Sequence, residues 1–312
     1  MQLFPEIKPY SVENLDVTYG HSLYIEQSGN HKGIPVMFLH GGPGAGTNAI
    51  YRRFFNPDIY RIILFDQRGC GRSSPYGSIE ENTTENLIED IKCILDKLNI
   101  QKTIVYGGSW GSTLGLLFAQ SYPDLVSSLV LRGIFLCRSS DIKWFYQHGA
   151  HEIFPDYWEN FIAAVPVNEK DNILEAFHKR IHGEDKNQSI LFCQKWAEWE
   201  GKSSSLLPSR QVVEQFSQCS ESLSKIETHY FINNCFIKEN QILLDIDKIK
   251  NIKCEIVHGR YDIVCPFRQA HDLHNAYRTS NLNIIDDAGH SLLEPGITNK
   301  ILEIFSKPND LI

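Results

Sequence analysis

Short apolar runs alternate with amphipathic stretches along most of the chain. The runs lack polar alternation, which is typical of strands buried on both faces. They occupy residues 35–40, 61–66, 103–106 and 125–133. Residues 84–98 instead repeat apolar side chains near helical spacing, and residues 16–28 predict a hairpin of two short strands joined at Gly20 and His21. Strands separated by helices predict an α/β fold, in which a mostly parallel sheet carries helices on both faces.

The pattern changes after the fourth run. Residues 136–240 are rich in aromatic, histidine and charged side chains and contain helical stretches without a convincing buried strand. Strand-like runs resume at 254–259 and 282–285. The simplest arrangement is one α/β domain, formed by residues 1–135 and 241–312, that is interrupted by a helical cap domain at 136–240.

The composition disfavours several classes of function. The chain has 312 residues and a formal net charge of −8, which argues against nucleic acid or an anionic membrane as a main partner. No apolar run approaches the roughly 20 residues that a transmembrane helix needs. The start of the chain has no basic segment followed by an apolar one, so nothing suggests export. We therefore expect a cytoplasmic protein that does not act on a membrane.

The cysteines and histidines do not predict a metal site. The eight cysteines are scattered singly, none forms a Cys-x-x-Cys pair, and none lies near histidines at zinc-ligand spacing. The twelve histidines include no His-Glu-x-x-His motif. We expect reduced thiols, no metal and no cofactor.

The most informative motif surrounds Ser109. It lies between the β-type run 103–106 and a helical stretch at 114–120, in the pattern Gly-x-Ser-x-Gly that Gly107 and Gly111 complete. This strand, turn and helix predict a nucleophile elbow, whose tight turn leaves no room for side chains two residues before and after the serine. Ser109 is therefore the candidate nucleophile.

A serine nucleophile needs a base and a carboxylate that orients the base. Asp262 follows one predicted strand after the insertion, and His290 lies in a loop after the next strand. Loops at the carboxyl ends of parallel strands converge on one crevice. Ser109, Asp262 and His290 also stand in the chain order of an α/β-hydrolase triad.

Other residues compete for two of these roles. Asp286 and Asp287 are closer to His290 in the sequence than Asp262 is. We favour Asp262, because a carboxylate close to His290 on the same tight loop can rarely point at Nδ1 of the His290 imidazole. His258 is an alternative base, although its place at a strand end is also consistent with a buried structural residue.

Acyl transfer also needs donors for the developing oxyanion. We expect one to be the backbone N–H of Trp110, the residue after the nucleophile. The second should be the N–H of Gly42 in the glycine-rich loop 40–44. That loop could instead cradle phosphate, but it contains no Gly-Lys-Ser/Thr sequence.

Together these motifs resemble the proline iminopeptidases, also called prolyl aminopeptidases. The matching segments span nearly the whole chain, insertion included: residues 40–44, 66–73, 107–114, 131–135, 199–201, 227–231, 259–262 and 289–291. The resemblance implies an α/β-hydrolase fold with an inserted helical cap. It also implies a serine exopeptidase that releases N-terminal proline from peptides through a prolyl-enzyme ester.

The resemblance further implies roles for residues of the insertion. Glu200 and Glu227 match glutamates that recognise the amino terminus of the substrate in this family. Phe135, Phe145 and Phe231 match residues around the prolyl ring. Relatives often carry tyrosine at the position of Phe145, so the resemblance leaves the tolerance of hydroxyproline or alanine open.

Two other functions remain open on the sequence. One is an esterase, an amidase or a broader aminopeptidase of the same fold, which would not need Glu200 and Glu227. The other is a binding protein that has lost catalysis, against which the intact triad argues. Dehalogenases and epoxide hydrolases are excluded, because their chemistry requires aspartate at position 109. The oligomeric state and the preferred peptide length are not predicted.

Overall fold

The apolar runs form the strands of a single sheet in the computed structural model, which describes residues 2–312. In chain order the strands are β1 (Ser11–Asp16), β2 (Ser22–Gly29), β3 (Ile34–Leu39), β4 (Tyr60–Phe65), β5 (Thr103–Ser109), β6 (Val126–Ile134), β7 (Lys253–Gly259) and β8 (Ser280–Ile285). Across the sheet their order is β1-β2-β4-β3-β5-β6-β7-β8. The β1–β2 and β2–β4 pairs are antiparallel and the remaining pairs are parallel, which confirms the predicted α/β fold.

The hairpin at the start of the sheet is confirmed, but its first strand was placed too late. Strand β1 ends at Asp16, where the predicted hairpin began, and Asp16 pairs with Ser22. A short 3₁₀ turn at Thr18–Gly20 joins the two strands. The residues of β1 alternate between half-buried and exposed, because this strand lies at the edge of the sheet. It therefore lacks the continuous apolar run that revealed the inner strands.

Helices surround the sheet and fill the connection between β6 and β7. The α-helices are α1 (Thr84–Lys97), α2 (Trp110–Ser121), α3 (Ser139–Tyr146), α4 (Ala150–Ile153), α5 (Pro155–Ile162), α6 (Ile173–Ile181), α7 (Lys186–Ser203), α8 (Arg210–Gln218), α9 (Ser220–Ile232), α10 (Gln241–Leu244), α11 (Arg268–Ala276) and α12 (Pro295–Phe305). Helices α3–α9 lie within the residues predicted to form the cap. Over residues 2–312, none of the helices has the length and apolar character needed to cross a membrane.

Strand β3 shows how both faces of the sheet are covered. Val36 and Phe38 join an apolar cluster that contains Ile301 and Phe305 of α12. Met37 and Leu39 face the opposite side, in a cluster that includes helices α1 and α2 and extends into α3–α7 and α9. Because successive side chains of a strand point to opposite faces, a continuous apolar run is the pattern that two covered faces require.

Candidate active site

The turn between β5 and α2 places Ser109 at the floor of a cavity. Ser109 is held at φ 56° and ψ −125°, a left-handed conformation that is uncommon outside glycine. Both flanking glycines are required by close backbone contacts. A Cβ on Gly107 would lie 2.0 Å from the carbonyl oxygen of Gly111, and a Cβ on Gly111 would lie 2.1 Å from that of Leu39. The elbow therefore forms as the sequence predicts, with strain concentrated at the serine.

His290 and Asp262 are in direct contact. The Nδ1 atom of His290 lies 2.7 Å from Oδ2 of Asp262, and Oδ1 of Asp262 accepts a hydrogen bond from the N–H of Cys265 at 2.8 Å. Burial opposes ionisation of Asp262, but the adjacent His290 and the other donors outweigh it and hold the pKa below its ordinary value. The structure thus supplies His290 with an ionised, fixed partner, and His290 lines the same cavity as Ser109.

The competing residues have other environments. Asp286 is largely exposed and faces Arg260 at 3.8 Å. Both ring nitrogens of buried His258 are occupied: Nδ1 accepts from the N–H of Ile134 at 3.0 Å, so Nε2 carries the proton and donates to the carbonyl of Cys265 at 2.8 Å. Burial lowers the pKa of His258. It is a neutral neighbour of Asp262, which lies 3.5 Å away, and has no free nitrogen to act as a base.

The glycine-rich loop after β3 is fastened to the elbow by a chain of buried polar groups. His40 accepts from the N–H of Gln67 through Nε2 at 3.0 Å and contacts the carbonyl of Gly41 through Nδ1 at 2.9 Å. Gln67 in turn accepts from the indole N–H of Trp110 at 3.0 Å. Gly41 is so close to the elbow that a Cβ there would lie 3.4 Å from Cβ of Ser109. The structure therefore brings together both loops that were predicted to supply oxyanion donors.

The cavity above Ser109 is walled by the helices of the insertion. It has a volume of about 250 Å³ and is lined by Glu200 of α7 and Glu227 of α9 as well as by Ser109 and His290. Gly42 also lines it. Within the described part of the chain, no group of three or more His, Cys, Asp or Glu side chains is arranged to hold a metal ion.

Glu200 and Glu227 form a buried pair without a cation. Both side chains are almost inaccessible, and within residues 2–312 neither makes a salt bridge to lysine or arginine. Burial raises the pKa of Glu200 to about 7. Burial and the charge of Glu200 together raise the pKa of Glu227 well above its ordinary value. Such a site is electrostatically prepared for a positively charged ligand.

Two stacked aromatic rings orient this pair. Tyr146 donates its hydroxyl to Oε1 of Glu200, and Trp196 donates its indole N–H to Oε2 of Glu227. The two rings stack with their centroids 4.3 Å apart and their planes 12° apart. Neither donor was predicted from the sequence. Their separation along the chain gives no indication that a tyrosine of α3 and a tryptophan of α7 meet.

The three predicted aromatic residues also line the cavity. The rings of Phe135 and Phe231 meet edge to face with centroids 5.8 Å apart. Phe145 packs on Trp199, with ring centroids 5.2 Å apart. Phe231 also contacts Tyr146, with ring centroids 5.4 Å apart. The structure therefore places an apolar wall beside the carboxylate pair.

The fold and the elbow define the class of protein, and comparisons with known proteins agree. A family model described as "alpha/beta hydrolase fold" matches residues 34–296. An esterase from Exiguobacterium antarcticum has a TM-score of 0.68 at 20% identity, covering 95% of this chain and 98% of the esterase. A bromoperoxidase from Bacillus anthracis has a TM-score of 0.67 at 20% identity, covering 95% and 100% of the two chains. These structural similarities establish the α/β-hydrolase fold.

Sequence relatives define the family within this class. A proline iminopeptidase from Arabidopsis thaliana is 48% identical over 96% of this chain and 80% of its own length. A probable proline iminopeptidase from Leptolyngbya boryana is 45% identical over 97% and 95% of the two chains. A proline iminopeptidase from Neisseria gonorrhoeae is 40% identical over 96% of each chain. The chain belongs to the proline iminopeptidase family of α/β-hydrolase enzymes, which confirms the resemblance stated from the motifs.

Proposed function

We propose that this protein is a serine exopeptidase that releases proline from the amino terminus of peptides. The observation that carries the proposal is the buried, cation-free pair Glu200 and Glu227 in the same cavity as Ser109 and His290. Membership of the proline iminopeptidase family supports the same activity. In this proposal residues 1–135 and 241–312 form the catalytic domain, and the cap domain at 136–240 selects the substrate.

The reaction begins with attack by Ser109 on the carbonyl carbon of the N-terminal proline. His290 accepts the proton of the Ser109 hydroxyl, and Asp262 orients the imidazole and stabilises its protonated form. The N–H groups of Trp110 and Gly42 donate to the oxyanion of the tetrahedral intermediate. His290 then protonates the leaving amine, which leaves a prolyl ester on Ser109. Water, deprotonated by the same histidine, hydrolyses the ester and releases proline.

The carboxylate pair explains why the enzyme would act only at an amino terminus. An N-terminal proline carries a secondary ammonium, whereas an internal proline is an uncharged tertiary amide. Glu200 and Glu227 would compensate the ammonium charge inside a cavity from which water is largely removed, where a charge-assisted hydrogen bond is strong. A peptide without that cation would leave both carboxyl groups buried and unpaired, which is costly.

The aromatic wall explains a preference for a compact apolar ring. Phe135, Phe145 and Phe231 surround the space beside the pair with carbon atoms. The pyrrolidine ring would be buried there while its nitrogen reaches the carboxylates. Burial of apolar surface contributes roughly 25 cal/mol for each Å² removed from water.

Turnover of three arylamides by the purified protein tests this proposal. We expect prolyl arylamide to be cleaved well, alanyl arylamide less well, and N-acetylprolyl arylamide at least about 100-fold less efficiently, since it lacks the cation. Comparable cleavage of the blocked substrate would instead indicate an esterase or amidase of the same fold. Ser109→Ala should reduce prolyl arylamide turnover by about 10⁴-fold or more, and near-normal activity of that variant would contradict the mechanism.

A further inference from the structure

The catalytic histidine is attached to the insertion through its own peptide group. The backbone N–H of His290 donates to the carbonyl oxygen of Ser204, just after α7, at 3.0 Å. On the other side, Arg132 of β6 donates to the carbonyl oxygen of His290 at 2.8 Å. The position of the imidazole therefore depends on how the segment after α7 is held against the loop before α12.

Glu294 joins these two segments. Its Oε2 accepts from the N–H of Gly289 at 2.9 Å, and its Oε1 accepts from the N–H of Leu206 at 3.3 Å. Gly289 immediately precedes the catalytic histidine, and Leu206 lies two residues after Ser204. The carboxylate therefore bridges the two segments, with one oxygen bonded to the His290 loop and the other to the segment after α7.

Local packing shows that this contact is close. A Cβ on Gly289 would lie 2.9 Å from the nitrogen of Leu206 and 3.1 Å from Oε1 of Glu294. Only a residue without a side chain lets the two backbones approach this far. Burial raises the pKa of Glu294, but backbone N–H donors oppose the shift by stabilising the ionised form.

The two donors require a carboxylate in particular. An ionised carboxylate accepts through both oxygens, whereas an amide offers one acceptor oxygen and an NH₂ group that repels an N–H donor. Glutamine at position 294 would thus keep the shape of the side chain and lose one of the two bonds. Aspartate would keep the charge but lose the reach.

We propose that Glu294 is a positioning residue that fixes the His290 loop against the segment after α7. It does not touch the reacting atoms and acts through the backbone of Gly289. The proposal rests on the function proposed above, in which His290 is the base. Since Glu200 lies within α7 and is held by its own contact with Tyr146, loss of Glu294 displaces the base more than the amine site.

Steady-state kinetics of Glu294→Gln, Glu294→Asp and Glu294→Ala test the proposal. We expect kcat for prolyl arylamide to fall about 10-fold to 100-fold, least in the two conservative variants, with KM changed less than about threefold, because a small displacement of a catalytic group costs that much. Glu303→Gln is the matched control: Glu303 lies on α12, is partly exposed and pairs only with Lys300 and Lys307 among the described residues. It should retain the wild-type kcat.

A raised KM with unchanged kcat would overturn the proposal, because it would show that Glu294 holds the cap and not the base. A wild-type kcat in all three Glu294 variants would overturn it too. The fraction of enzyme that a fluorophosphonate labels gives the concentration of reactive serine. Because kcat is then expressed per reactive serine, a lower kcat reflects a displaced His290 and not a share of misfolded protein. If the wild type labels but does not cleave prolyl arylamide, the proposed function fails. The rate of labelling then still tests the role of Glu294, and a rate unaltered in Glu294→Gln would contradict it.

Discussion

Trp196 of α7 donates its indole N–H to Oε2 of Glu227 on α9, at a distance of 2.5 Å. A tryptophan can only donate, so this bond fixes the direction of the carboxylate before a substrate enters. Tyr146, stacked on the same indole, does the same for Glu200. The aromatic residues of the insertion therefore serve as packing and also as donors that fix the two carboxylates, which we propose to bind the ammonium of the substrate.

Loss of the Tyr146 hydroxyl should weaken substrate binding. Tyr146→Phe keeps the stacked ring but leaves one oxygen of Glu200 without its donor. A hydrogen bond to a charged group contributes about 1.5–3 kcal/mol, so we expect KM for prolyl arylamide to rise about tenfold or more with little change in kcat. Tyr157→Phe, on α5 of the insertion and not part of the cavity lining, is the control and should match the wild type. An unchanged KM in Tyr146→Phe would show that this hydroxyl does not assist recognition.

The carboxylate pair should make KM depend on pH. The raised pKa values, about 7 for Glu200 and well above the ordinary value for Glu227, mean that the empty site holds protons at and below neutrality. A bound ammonium favours the ionised pair, so KM should fall as the pH rises from about 6 to about 8. Glu200→Gln should flatten this profile. A wild-type KM that rises over the same interval would contradict the sign of this linkage.

Gly133 should be essential for turnover because it lies so close to the imidazole of His290. Its φ is +51°, and a Cβ there would lie 2.9 Å from Cε1 of the imidazole. We expect Gly133→Ala to displace the ring and lower kcat by about 100-fold. Gly20→Ala is a matched control, since Gly20 has φ +74° but a Cβ there would meet no atom within 4 Å. Both variants bear left-handed backbone strain, and only the first should lose turnover; equal losses would attribute the effect to strain alone.

Much of the fold could be predicted from the sequence because the inner strands are buried on both faces. Strand β3 alternates its side chains between two apolar clusters, which leaves a continuous apolar run to recognise. Strand β1 could not be placed in the same way, because an edge strand is exposed on one face and four of its six residues are polar. Local composition also indicated the insertion, since its aromatic residues lie on helices and pack between them.

The candidate site was predictable where function demands a local shape. The turn around Ser109 needs glycines at fixed spacing, and Asp262 and His290 follow strand ends that meet at one edge of the sheet. The partners of the glutamates could not be found, because Tyr146 meets Glu200 and Trp196 meets Glu227 only after three helices have packed. The contact of Glu294 with Leu206 also depends on backbone atoms, which no residue pattern records.

The ratio of kcat/KM for prolyl arylamide to that for N-acetylprolyl arylamide tests the central claim most directly, if it is measured in the wild type and in the double variant Glu200→Gln, Glu227→Gln. We predict a ratio of at least about 100 in the wild type, which falls by at least about tenfold in the double variant through loss of the prolyl substrate alone. Glu198→Gln is the control and should leave the ratio unchanged, since Glu198 lies on α7 with Glu200 but pairs with Lys202 at the surface. A ratio near one in the wild type, or an equal ratio in the double variant, would contradict recognition of the amino terminus by this pair.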